Sequence, residues 1–72
     1  MRQGAAHEVR QPTQGQLDVL RLIAQGYSYN ETAYHLGLSR FTVRNQMQYL
    51  FRRLEVDSAV EAMYKLGWIR IP

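Results

Sequence analysis

Apolar residues recur at helical spacing along most of the chain, and polar punctuation divides them into four stretches. In the first, Leu17, Leu20, Ile23 and Ala24 form an inward stripe that Val19 and Leu22 widen, which predicts a helix over about 14–25. Thr13 and Gln16 match a capping box at its start, Pro12 and Leu17 stand where a hydrophobic staple closes, and Gly26 ends it. Gly15 is a weak spot in its first turn. The second stretch, 29–36, is set by its ends: Ser28 and Glu31 form another capping box and Gly37 closes the helix. The third is the longest. Val43, Met47, Leu50 and Leu54 share one face of a helix over 40–54, capped by Ser39, with Leu38 and Val43 placed for a staple. In the fourth, over about 59–66, a Ser58–Glu61 box precedes Val60, Ala62, Met63 and Leu66, with Tyr64 beside them and Gly67 after. Trp68, Ile69 and Ile71 trail back onto the core, and their alternation is too short for a strand. Residues 1–12 are polar without periodicity and read as a flexible N-terminal tail before one folded domain, 13–72. The fold class is all-α: a compact four-helix domain.

The junction between the second and third helices narrows this further. A helix-turn-helix needs a small residue where its helices approach, a residue tolerant of positive φ in the turn, and an apolar residue docking the second helix on the first. Ala33, Gly37 and Val43 fill those places, and Leu36 and Leu38 flank the glycine to plug the crevice.

Charge then separates the third helix from the rest. Residues 1–38 are neutral, residues 39–54 carry Arg40, Arg44, Arg52 and Arg53 with no acid, and residues 55–72 are net −1, so the chain's net +3 comes from a +4 on one helix. Arg40, Arg44, Asn45, Gln48 and Arg52 occupy the face opposite the apolar stripe. A solvated surface gives the same residue types, but charge concentrated in this way points to a polyanion. Composition excludes other classes. With 72 residues there is room for one domain, and with no cysteine there is neither a disulfide framework nor a thiolate metal site. No apolar run approaches a membrane span, and 1–11 lacks the core of a secretory signal, so the chain reads as soluble and cytoplasmic. His7 and His35 have no partner at metal-ligand spacing, and no nucleophile–base set or phosphate-cradling glycine loop appears. No enzyme activity, cofactor, metal or small-molecule ligand is expected.

With these residues placed, residues 13–69 resemble the LuxR/GerE-type DNA-binding domain. The resemblance is carried by LDVLRLIAQGYS (17–28), NETAYHLGLSRFTVRNQ (30–46), RRLEV (52–56), SAVEAM (58–63) and GWI (67–69). It implies a four-helix domain that binds double-stranded DNA in transcription control, with the third helix in the major groove and the fourth at a dimer interface. Departures from the family pattern are Gln16 for an acid, Thr32 for a core aliphatic, Gln46 for a histidine, Glu55 for a glycine and Ala59 for an arginine. The short run before Thr13 leads to the expectation of a single-domain, GerE-like member without its own sensory input, associated with the nucleoid.

Specific residues follow. Arg44, Asn45 and Gln48 are the base-reading candidates: arginine pairs with guanine O6 and N7, and asparagine or glutamine with adenine N6 and N7. Ser39, Arg40 and Thr42 at the helix start, Tyr29 and Asn30 at the start of the second helix, and Arg52 are the phosphate candidates. At most one of Arg52 and Arg53 is expected on the DNA backbone, with an acid such as Glu55 or Asp57 available to the other. Val60, Met63, Tyr64 and Leu66 offer more apolar surface than a short helix hides and form the expected homodimer interface. The competing reading is a protein-interaction module, similar in layout to the promoter-binding region of sigma factors, that engages RNA polymerase or another regulator and binds DNA weakly.

Overall fold

The computed structural model describes residues 11–70, which form four helices: α1 (Gln14–Ala24), α2 (Tyr29–Leu36), α3 (Arg40–Leu54) and α4 (Ala59–Lys65). No strand occurs among the described residues. Most of the expected tail, 1–10, lies outside them, as does Ile71. The first and last helices each end one residue earlier than their apolar periodicity suggests, because Gln25 and Leu66 serve as C-caps.

Each helix starts where a side-chain oxygen meets an orphan N–H of the first turn. At α1, the Gln16 N–H donates to Thr13 Oγ1 and the Thr13 N–H donates to Gln16 Oε1, both at 3.1 Å. At α2, the same reciprocal pair joins Ser28 and Glu31, at 3.1 and 2.8 Å. At α4 only half the box forms: the Glu61 N–H donates to Ser58 Oγ, but Glu61 Oε1 accepts from the N–H of Asp57, at 2.7 Å. The cause is backbone angle. Ser58 has φ −150°, against −82° at Thr13 and −72° at Ser28, which turns its own N–H away from the first turn.

The four helices bury one core. Val19 and Leu20 of α1, Ala33 of α2, Val43, Met47 and Leu50 of α3 and Ala62 of α4 are buried, and Ile23, Leu36, Leu54, Met63, Leu66 and Trp68 pack around them. Fully burying each of the larger side chains contributes about 1.5–3 kcal/mol. Helix α3 is the axis of the assembly, packed against each of the other three. The approach of α1 to α3 is close at Gly15, where a Cβ would lie 3.2 Å from Gln46 Nε2. Gln16 is buried at 3% exposure, so a neutral amide there avoids sequestering a charge. Ala24, expected on the inward stripe, is exposed, while Ile23 beside it packs on the core.

The α2–α3 connection is a helix-turn-helix. Gly37 has φ 67° and ψ 33°, the left-handed conformation the tight turn requires, and the Leu38 N–H closes the helix end onto the Ala33 carbonyl at 2.9 Å. Ala33 and Val43 are buried at the crossing. Leu36 packs on the core, whereas Leu38 is 39% exposed and does not fill the crevice with it.

Beyond α4 the chain returns over α1. Trp68 packs on the core, and the Arg21 guanidinium sits 5.2 Å from its ring centroid. Lys65 Nζ donates to the Leu54 carbonyl at 2.7 Å, joining the end of α4 to the unsatisfied C-terminus of α3.

Candidate nucleic-acid interface

The orientation of α3 follows from its core contacts. Val43 and Leu50 are 0% exposed and Met47 is 1% exposed, so that face is fixed inward. The residues at steps of three, four and seven from Phe41, namely Arg44, Asn45 and Gln48, then fall on the outer side. Arg44 and Gln48 are exposed and Asn45 is half-buried. Among the described residues, none of the three side chains is engaged in a hydrogen bond or ion pair. Their donors and acceptors therefore face outward without competing partners. Successive turns of the helix place Arg44 and Gln48 about 6 Å apart along the axis.

The start of α3 is suited to an anion. Its first turn contains no acid, and the Ser39 hydroxyl accepts from the Thr42 N–H at 3.0 Å while meeting Thr42 Oγ1 at 2.9 Å. The helix dipole and the remaining N–H groups favour a negative ligand there. Arg40 is exposed beside them. At α2, Thr32 makes the first intrahelical bond, to the Ser28 carbonyl at 2.8 Å, so the N–H groups of Tyr29 and Asn30 precede it. Asn30 is exposed, whereas the Tyr29 ring packs against the core. The Glu31 carboxylate, held on the Ser28 N–H, puts a negative charge at the same helix end and opposes phosphate binding there.

The two late arginines separate. Arg53 is half-buried and donates to the Gln11 carbonyl at 3.1 Å, which ties the segment before α1 to α3. Arg52 is exposed, with its guanidinium 5.8 Å from the Tyr49 ring centroid. Of the pair, Arg52 is thus the one left on the outer face.

The expected dimer residues divide as well. Val60 and Tyr64 are 60% and 54% exposed and lie four residues apart on one side of α4. Met63 and Leu66 are turned inward and pack against the core. A concavity of about 350 Å³ lies nearby, lined by Glu55, Val56, Asp57, Glu61, Tyr64 and Lys65. Lys65 there bridges α4 to the end of α3, Glu61 holds the connecting turn at Asp57, and no base-reading candidate lines the concavity.

Phe41 was not singled out by periodicity, yet it is 63% exposed on the outer face of α3. Its signal in the sequence is its position off the Val43, Met47 and Leu50 stripe. With Arg40 and Arg44 it lines a shallow depression of about 360 Å³.

Among the described residues no three His, Cys, Asp or Glu side chains are grouped to hold a metal ion. His35 instead packs edge-on against the Tyr27 ring, with centroids 4.6 Å apart. His7 lies outside the described residues. No described helix is long and apolar enough to cross a membrane.

A family model described as bacterial regulatory proteins, luxR family, and named GerE, matches residues 13–66, a span that contains all four helices. Among curated proteins and among solved structures, nothing matches the chain.

Proposed function

The chain belongs to the luxR family of bacterial regulatory proteins, whose GerE-type domains bind DNA, and on that premise we propose that it is a sequence-specific double-stranded DNA-binding regulator of transcription. In this reading α3 enters the major groove. Arg44, Asn45 and Gln48 read base edges, while Ser39, Arg40, Thr42 and Arg52 hold phosphates, with Asn30 and the backbone at Tyr29 adding a weaker contact. Two copies bind as a homodimer through α4. The protein works in the cytoplasm, on the nucleoid. It is not an enzyme.

The observation that carries the proposal is the outer face of α3: Arg44 and Gln48 exposed, Asn45 half-buried and all three unengaged, on a helix that has four arginines and no acid. The testing experiment is selection of bound duplexes from a random pool at a fixed salt concentration. Enrichment of one short motif is expected, and a pool that stays random after several rounds overturns the proposal.

A second reading draws on the turn region. Tyr34 and Leu38 are 87% and 39% exposed, an apolar surface outside α4 that suits a protein partner such as RNA polymerase. It predicts polymerase binding that survives high salt together with weak, unselective DNA binding. The charge concentrated on α3 favours the DNA reading over this one.

A further inference from the structure

We propose that Phe41 is a specificity-determining residue that reads thymine, its ring meeting the C5-methyl group of a thymine in the major groove. The inference rests on the DNA-binding reading above and adds to it a fourth base-contacting residue of different chemistry.

Phe41 takes no part in the core. Its ring is 63% exposed and is absent from the side chains that pack on the core, whereas Phe51, at the other end of the same helix, is among them. The core therefore does not account for this ring. It stands three, four and seven residues before Arg44, Asn45 and Gln48, on the same outer stripe. A step of three residues is about 4.5 Å along the helix, on the order of one base-pair rise. If Arg44 faces one base pair, Phe41 therefore faces a neighbouring one.

The surroundings choose the partner. Arg40 and Arg44 line the same depression, and the first turn of α3 holds no acid. An apolar protein surface docking here would desolvate two guanidinium groups and leave them unpaired, at high cost. Duplex DNA supplies what both need, with phosphates and guanine for the arginines. Among major-groove base edges the thymine methyl is the apolar feature that an aromatic ring contacts.

The test uses the selected duplex and a set in which each thymine in turn is replaced by deoxyuridine, which keeps the pairing edge and lacks only the methyl. Dissociation constants are measured at one salt concentration for the unaltered protein, Phe41→Ala and Phe41→Leu. Thermal melts of both variants check that the fold is kept. At one thymine, uracil should weaken binding by the unaltered protein about four-fold, the worth of one buried methyl. Phe41→Ala should weaken binding to the thymine duplex by at least as much and respond to uracil nowhere, and Phe41→Leu should keep part of the sensitivity. Retained sequence preference with no uracil-sensitive position, or equal sensitivity in Phe41→Ala, overturns the inference alone. Loss of all sequence preference in the unaltered protein overturns the DNA reading and this inference with it.

Discussion

Two residues carry a local cost that a change of side chain would relieve. Glu55 has φ 59° and ψ 49°, the one positive φ outside glycine among the described residues. The closure of α3 demands this conformation: the Glu55 N–H reaches the Arg52 carbonyl at 3.2 Å and the Val56 N–H reaches the Phe51 carbonyl at 3.0 Å, while Val56 packs on the core. A Cβ in the left-handed region costs about 1–2 kcal/mol, and a negative charge at a helix C-terminus adds a few tenths. The greater freedom of glycine in the unfolded chain offsets part of this. Glu55→Gly should therefore gain about 1 kcal/mol and raise Tm by roughly 4–8 °C in melts without DNA. A lower Tm would show that side-chain interactions of Glu55 outweigh the strain. Thr32 is the second case. It is fully buried in α2 and its hydroxyl has no hydrogen-bond partner, which costs about 1–3 kcal/mol. Thr32→Val keeps the shape and removes the orphan, so its Tm should rise. Thr32→Ser keeps the hydroxyl, loses a buried methyl and should melt lower. The reverse order would mean that the hydroxyl is satisfied in solution.

At the scale of the helix, α3 carries arginines of two kinds. Arg44 lies on the proposed base-reading stripe and Arg52 two turns later, beside Tyr49. Arg44→Ala should cost roughly 1–3 kcal/mol on the selected duplex and little on a random one. Arg52→Ala should weaken both by a similar factor. Equal losses on the two duplexes for Arg44→Ala would reassign it to a phosphate. Helix α4 offers a separate test. Met63 and Leu66 serve the core, so changing them confounds assembly with folding. Val60 is exposed, and an acid early in a helix suits its dipole, so Val60→Asp leaves the fold intact. It should weaken binding to a duplex with two half-sites more than to one with a single half-site. Sedimentation showing one protein molecule per two-site duplex at saturation would rule the dimer out.

Across the molecule, the positive charge is one-sided. The +4 of residues 39–54 is set against a neutral first half and a net acidic last segment. If about four to six phosphates are neutralised, log K should fall against log salt with a slope of roughly −4 to −5. Titrations of one duplex from about 50 to 200 mM salt measure it, over the range where such contacts show most. A slope near zero would favour the polymerase-binding reading.

What the chain determined by itself is local. Cap chemistry at Thr13, Ser28, Ser39 and Ser58 placed four helix starts, because an N-cap acts on N–H groups two or three residues away. Periodicity of 3.6 set the inward face of α3, and with it the outward direction of Arg44, Asn45 and Gln48. The left-handed end at residue 55 was legible only through the resemblance, in which Glu55 stands where a glycine is usual at the end of the helix. Tertiary packing decided how far each apolar side chain is covered, which no spacing encodes. It left Ala24, Leu38 and Phe41 outside, drew Gln16 in, and sent Met63 and Leu66 to the core while leaving Val60 and Tyr64 on the surface. Burial depends on which neighbouring helix lies over a position. Those neighbours are brought together by core residues far apart in the chain, such as Val19 and Leu20 with Met47, Leu50 and Ala62 in one buried cluster.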